Sequence, residues 1–328
     1  MILVGDTGGT KTNLAIYSVD DKKPKLEMES TFRSADFPTL DVIIKKFLND
    51  TNVNVDKAVL GVAGPIAKGK AHVTNLSWEI SEATLKEIIQ VEKLKLINDL
   101  EATAYAIPHL ADHEVAALNS ERAERRLNAN KAVIAPGTGL GEAFLVYHDD
   151  GYQIIPSEGG HAGFAPTTPV QLGLLQYMWR THNHVSYERV CSGSMGIPHI
   201  YAYLSETRFG EANDDVTAKI KAASDPTPVI VNAALSDECE VCLGTLKTFI
   251  SILGNEASNL TIKTMAMGGV YLGGGIPPRI LPKLKEGRFM AAFIDKGRFS
   301  DMLSHVPVFV ILNDKAALLG AFHYAMRL

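Results

Sequence analysis

One local pattern occurs twice and constrains the whole chain: an apolar run, a Gly-rich turn, and a second apolar run. The first copy runs from Ile2 to Tyr17, with Gly8 and Gly9 at the turn. The second runs from Lys131 to Tyr147, with Pro136-Gly137-Thr138-Gly139-Leu140-Gly141 between its runs. Two strands joined by a turn that tolerates positive φ read as a β-hairpin. One hairpin in each half of a 328-residue chain points to two related domains of ordinary size, each with ample core.

Around the first hairpin the spacing predicts a third strand from Lys25 to Phe32. Leu40, Ile43, Ile44, Phe47 and Leu48 then recur at helical spacing. Lys57 to Val62 reads as a buried strand closed by Gly64-Pro65, Val73 to Ile80 as a strand or loop, and Ser81 to about Gln90 as a helix. A strand from Lys93 to Ile97 ends in Asn98-Asp99, and a helix from Leu100 reaches Ala106. This β-β-β-α-β-α-β-α order predicts a mixed sheet with helices on its faces. Pro108 to Lys131, where charges of both signs alternate, reads as a solvated linker or surface helix. In the second half Leu243, Leu246, Ile250, Leu253, Ala257 and Leu260 form one stripe of a long helix. Strands are expected at Gly268 to Leu272 and Val306 to Leu312. Asn313 and Asp314 then lead a helix to Leu328, expected to pack back on the first domain. The expected domains are residues 1–109 with 314–328, and 110–313.

Charge enters as an exclusion. The formal net charge is −5 with no basic block, which argues against nucleic acid as a partner. The stretch from Thr264 to Pro278 is too short and Gly-rich to span a bilayer, and no basic segment marks an export signal. Three cysteines cannot all pair, so a reduced cytoplasmic setting is expected. Cys239-Glu240-Val241-Cys242 has no second CxxC or His pair, so it reads as two helix-borne thiols rather than a metal or redox site.

Chemistry-bearing residues cluster at strand ends. Successive N–H groups around Gly8 and Gly9 suit an anion such as phosphate, although the pair alone also fits an ordinary tight turn. Asp6, just before it, is placed to hold Mg²⁺ through water, since that hard cation prefers oxygen. Asp99 lies at a strand's C-terminal end, where open α/β sheets bind ligands. It reads either as a base for a substrate hydroxyl or as the cap of the helix that follows. Ser157-Glu158-Gly159-Gly160-His161 and Glu188, just before Arg189-Val190-Cys191, supply the acceptors and imidazole that match sugar hydroxyls. A side chain at Gly9 or Gly139 is expected to weaken a phosphate-bearing ligand far more than a sugar.

Gly5-Asp6-Thr7-Gly8-Gly9-Thr10 resembles the first phosphate loop of the sugar kinase, heat-shock and actin superfamily. With Ile97-Asn98-Asp99, Gly137-Thr138-Gly139-Leu140-Gly141, Glu158-Gly159-Gly160-His161, Glu188-Arg189-Val190 and Gly273-Gly274-Gly275-Ile276-Pro277, the chain resembles bacterial-type ATP-dependent glucokinases from Leu3 to about Gly320. The resemblance implies an α/β, two-domain actin-like (ribonuclease H-like) sugar kinase fold with a cleft between the domains. It implies phosphorylation of glucose to glucose 6-phosphate, the first step of glycolysis, by a cytoplasmic homodimer using ATP and Mg²⁺. Asp99 would be the general base for the 6-hydroxyl, and Asn98, Glu158, His161 and Glu188 would hold the other hydroxyls. Gly5, Asp6, Thr7, Gly8, Gly9, Thr10, Gly137, Thr138 and Gly139 would face the nucleotide phosphates, and Gly274 and Gly275 the adenosine.

The related ROK group shares a Glu-x-Gly-His motif but follows it with a Cys-rich zinc cluster. Here no cysteine follows His161 until Cys191, so no zinc is expected. A kinase for another hexose or an amino sugar shares the site residues and stays open. A sugar sensor without catalysis also stays open, although sensing alone does not need Asp99.

Overall fold

Both faces of the first sheet are apolar because helices cover both. The computed structural model describes residues 1–328 apart from positions 22, 74, 75, 120–122, 125, 150 and 212. Contacts divide it into two units: Met1–Ala111 with Asn313–Leu328, and Asp112–Leu312.

In the first unit, β1 (Ile2–Thr7) and β2 (Lys11–Asp20) form the expected hairpin, extended by β3 (Lys23–Arg33). On the other side of β1 lie β4 (Lys57–Val62) and β8 (Lys93–Asn98), both parallel to it, giving the order β3-β2-β1-β4-β8. Alternation along the strands divides their side chains. Leu3, Leu14, Ile16, Ala58 and Leu60 pack with the helix Leu40–Thr51. Ile2, Val4, Ala15 and Val59 pack with Leu318, Ala321 and Phe322 of the C-terminal helix Ala316–Ala325. Buried on both faces, these strands read as continuous apolar runs. The C-terminal helix also lies against the helix Asp99–Ala106 so closely that any Cβ at Gly320 would strike the Ala102 carbonyl.

Three short strands, β5 (Ile66–Ala67), β6 (Lys70–Val73) and β7 (Trp78–Ser81), form a separate small sheet. The single strand or loop expected over Val73 to Ile80 is therefore parts of two strands of that sheet, the end of central β6 and the edge strand β7. Positions 74 and 75 of that stretch lie outside the described residues.

The second unit repeats the pattern. β10 (Lys131–Pro136), β11 (Leu140–His148) and β12 (Gly151–Ser157) are antiparallel neighbours, and β13 (Val270–Leu272) and β14 (Val308–Ile311) run parallel to β10. A further edge strand, β9 (Val115–Ala117), pairs antiparallel with β14. This corrects the linker or surface helix expected over Pro108 to Lys131. Val115-Ala116-Ala117 is a short apolar interruption of a polar stretch, and it meets the unpaired edge of β14. Positions 120–122 and 125 of that stretch lie outside the described residues. The long helix Glu240–Thr264 packs Leu246, Ile250, Leu253, Ala257 and Leu260 into the core. Among the described residues no helix is long and apolar enough to cross a membrane.

The two thiols expected at the CxxC are instead joined as a disulfide, Cys239 at the N-cap of the long helix and Cys242 in its first turn. Their helical placement is as expected, and a Cα–Cα distance of 5.2 Å is within reach of such a bridge. Cys191 is free and buried.

Candidate active site

In the first unit, Asp6 and Asp99 stand at the C-terminal ends of β1 and β8, on either side of β4. Gly61 on β4 is in register with Asp6 and Ile97, and a Cβ there would lie 3.7 Å from Asp99 Cα and 3.3 Å from Ala102 Cβ. The sheet thus brings two carboxylates to one edge, the place where open α/β sheets take ligands.

Asp99 is not the helix cap. That role belongs to Asn98, whose Oδ1 accepts from the N–H groups of Leu100 (2.9 Å) and Glu101 (3.4 Å). Asp99 is the first helical residue, and its Oδ1 accepts from Leu100 N–H at 2.9 Å, with further hydrogen-bond support from its own backbone and from Asn98. Burial, and next the charge of Asp6, push its carboxyl up from 3.8 to about 6. Asp6 is itself raised by burial, against an opposing hydrogen bond from Asn13 Nδ2 (3.3 Å) and the charge of Lys11. The helix N-terminus favours an anion, yet desolvation outweighs it, so Asp99 is a carboxylate poised near neutral pH. Asn13 escaped the sequence reading, although a hairpin register places it directly opposite Asp6. Asn98 gives its other end to the Gly64 carbonyl (Nδ2 to O, 3.2 Å) and also supports the Asp99 carboxylate.

The first Gly-rich turn is only partly an anion cradle. Gly8 donates its N–H to the Lys11 carbonyl at 3.0 Å, so the donors at the tip are those of Gly9 and exposed Thr10. Ser34 ties the turn down, its Oγ donating to the Gly8 carbonyl (2.9 Å) and its N–H to that of Thr10 (3.1 Å). Two members of the expected nucleotide-facing set lie inside. Gly5 is packed between Leu14 and Leu60, with no space for a Cβ, and Thr7 is fully buried with an unpartnered hydroxyl. Both pack beneath the turn.

In the second unit, Gly137 N–H donates to the Gly139 carbonyl at 2.9 Å and leaves Thr138 exposed at the tip. A Cβ on Gly137 would meet nothing, whereas one on Gly139 would lie 2.6 Å from Glu188 Oε1. A side chain at Gly139, expected to weaken a phosphate-bearing ligand far more than a sugar, would therefore also push on Glu188. Gly274 and Gly275 are exposed. Gly274 has φ of +79° and abuts the Pro136 carbonyl, so glycine is required there by the backbone.

The sequence-distant trio comes together. Segment 160–164 pairs with 185–188: Phe164 N–H donates to the Val185 carbonyl (2.8 Å), Tyr187 to Ala162 (3.0 Å) and Glu188 to Gly160 (2.8 Å). This places His161 between two carboxylates, Nδ1 3.5 Å from Glu188 Oε2 and Nε2 3.9 Å from Glu158 Oε2. Glu158 and His161 are exposed, while Glu188 is mostly covered. Beneath them are two buried acids that the sequence reading passed over, Glu142 and Glu256. The signal for Glu256 was a Glu placed on the apolar stripe, three residues after Leu253 and four before Leu260.

A family model described as Glucokinase matches residues 3–328 of the chain. A glucokinase of Nostoc punctiforme is 36% identical over 342 residues, spanning 100% of this chain and 99% of that one. A solved glucokinase from an Antarctic psychrotroph superimposes with a TM-score of 0.85 at 36% identity, covering 100% of this chain and 99% of that chain. A glucokinase of Balamuthia mandrillaris, solved in complex with glucose, superimposes with a TM-score of 0.80 at 22% identity over 99% of this chain and 93% of that chain, a likeness of fold.

Proposed function

Because the chain belongs to the glucokinase family, we propose that Asp99 is the base of its reaction, the ATP-dependent phosphorylation of glucose to glucose 6-phosphate. The observation that carries this role is the carboxylate pair Asp6–Asp99, with Asp99 freed from capping by Asn98 and raised to about 6. A base of that strength is ionised at neutral pH and takes the proton of the 6-hydroxyl as that oxygen attacks the γ-phosphorus. Phosphoryl transfer has a loose transition state, so positioning and electrostatics carry the rest of the catalysis. Asn98, Glu158, His161 and Glu188 hold the remaining hydroxyls. Gly9, Thr10, Gly137 and Thr138 receive the phosphates, and Gly274 and Gly275 the adenosine.

The donor set fits Mg²⁺ brought in with the nucleotide. Among the described residues no group of three metal-binding side chains exists, and Mg²⁺ usually keeps its waters and takes one or two carboxylates plus substrate phosphates. Asp6, beside a second carboxylate and opposed only by Lys11 and Asn13, supplies that acceptor. When bound, the ion neutralises charge on the transferring phosphoryl group. A place in glycolysis and a homodimer are proposed from the family alone. So is a cytoplasmic setting, since the cysteine argument does not survive the Cys239–Cys242 pairing.

A panel of hexoses and amino sugars in a coupled ADP-release assay tests the reading. Glucose is expected to give the highest kcat/KM. Preference for another sugar would move the protein to a sister kinase, and glucose binding without ADP release would make it a sensor.

The nucleotide turn has its own test in Gly137→Ala, which the fold accommodates without a clash. If the turn receives phosphate, the added Cβ holds the phosphate off the N–H donors at the tip, and KM for ATP rises about ten- to hundredfold, the worth of about 1.5–3 kcal/mol for one hydrogen bond to a charged group. KM for glucose should stay unchanged. An unchanged ATP KM in the folded variant would reduce Gly137 to a turn residue.

A further inference from the structure

Under the Gly159–His161 turn lies a carboxyl pair that the reaction as described does not use. Glu142 on β11 is 2% exposed and Glu256 in the long helix is 1% exposed. One oxygen of each, Oε1, has no hydrogen-bond partner. Buried polar groups nearly always find partners, so two orphaned oxygens in one core call for a cause.

The backbone places Glu142 directly beneath the turn. It sits opposite Ser157 in the β11–β12 register, and Ser157 Oγ accepts the Gly159 N–H at 2.9 Å. A side chain at Gly159 would have to displace the Glu142 carboxyl, whose Oε2 occupies the space its Cβ would fill. Glu256 reaches the neighbouring segment. Asn259 Nδ2 donates both to Glu256 Oε2 (2.9 Å) and to the hydroxyl of Tyr187 (3.1 Å), the residue before Glu188. The carboxyl pair therefore underlies both carriers of the trio: the turn with Glu158 and His161, and the segment with Glu188.

We propose that Glu142, backed by Glu256, is a positioning residue for the hexose, its carboxyl setting the Gly159–His161 turn against Glu188. The proposal rests on the functional reading above. It works with Glu142 neutral. Burial first, then the charge of Glu256, pushes Glu142 up to about 8, against Lys263 on the same helix. Glu256 is itself raised by burial, with Asn259, Tyr187, Lys263 and Lys296 opposing. The Cys191 thiol and the Tyr187 phenol are both pushed up by burial and the nearby carboxyls, so neither adds charge at neutral pH. Ionisation of Glu142 above about pH 8 puts like charges under the turn.

Glucose KM and kcat are measured across about pH 6 to 10, a span that brackets this ionisation, for wild type, Glu142→Ala and Glu142→Gln. In wild type, KM for glucose is expected to climb above about pH 8 with kcat moving less. Glu142→Ala raises KM about tenfold at neutral pH, whereas Glu142→Gln recovers most of that loss and flattens the alkaline rise. A Glu142→Ala enzyme with wild-type KM, or a Glu142→Gln enzyme that keeps the rise, overturns the proposal. Thermal melts without sugar separate this failure from failure of the functional reading. The folded-state value of Glu142 lies above its unfolded value near 4.5. The stability of the neutral form is therefore complete below 4.5 and is lost as pH rises through about 8. Wild-type melting is expected to fall over that window and Glu142→Gln not to follow. Parallel curves overturn the neutral carboxyl even if no hexose releases ADP.

Discussion

Asp99→Asn is expected to lower kcat for glucose phosphorylation at least about 10²-fold, the usual contribution of a positioned base, while glucose still binds. Asparagine keeps the shape and the acceptor for Leu100 N–H, so the geometry of the helix start is preserved. Asn98 already caps that helix, so a capping role for Asp99 would show as a modest stability loss with normal turnover. Two further readouts have fixed signs. Because the base must be ionised, wild-type kcat/KM falls about tenfold per pH unit below about 6, and the residual activity of Asp99→Asn lacks that limb. The folded-state value also lies above the unfolded 3.8, so stability held by the neutral form below 3.8 is lost as pH rises through about 6. Asp99→Asn does not suffer this loss and should melt at or above the wild-type temperature at neutral pH. Lower melting together with near-normal turnover would return Asp99 to a structural role.

That trade between stability and chemistry explains why some of the site could be read from the sequence and some could not. Asp6 and Asp99 were legible because strand ends are legible: a short apolar run stops, and a polar residue follows. The sequence could not say which of Asn98 and Asp99 caps the helix. That choice depends on Asn98 holding extended φ and ψ while its amide meets Gly64, 34 residues away and outside any local pattern. Gly5 and Thr7 look like parts of a phosphate loop by their neighbours, yet their surroundings are made by β2 and β4. Glycines carried two meanings that spacing does not separate. At Gly137 and Gly275 there is open space, while at Gly139, Gly159 and Gly320 another group fills the place of the missing side chain.

The fold was legible where periodicity was strong and failed where elements were short. The hairpins, the long helix and the C-terminal helix each bury a regular stripe. β5, β6 and β9 span two to four residues, too few for a period to emerge, and the pairing of β9 is set by β14, far away in sequence. The disulfide was missed for a related reason: CxxC spacing fits several chemistries, and only the helix start brings these two sulfurs together.

Glu158→Ala is expected to leave the sugar-free protein almost as stable as wild type but to remove most of the stabilisation that glucose confers. Glu158 and His161 are exposed, and exposed ion pairs contribute only about 0–1 kcal/mol. The turn itself is held by backbone hydrogen bonds from Glu188 and Tyr187. The carboxylate–imidazole–carboxylate arrangement therefore has little structural work to do, and its acceptors are available to a polyol. Glucose at about 100 times its Kd stabilises a fold that binds it only when native by about 2.7 kcal/mol. Losing one acceptor leaves a covered hydroxyl unpaired at about 1–3 kcal/mol, enough to erase most of that gain at the same glucose concentration. Glu188→Ala should do the same, and the two losses should not add, because His161 stands against both carboxylates and neighbours that share a partner couple. Melts with and without glucose decide it: a wild-type glucose shift in Glu158→Ala, or strictly additive losses in the double variant, would show that the trio does not hold the sugar together.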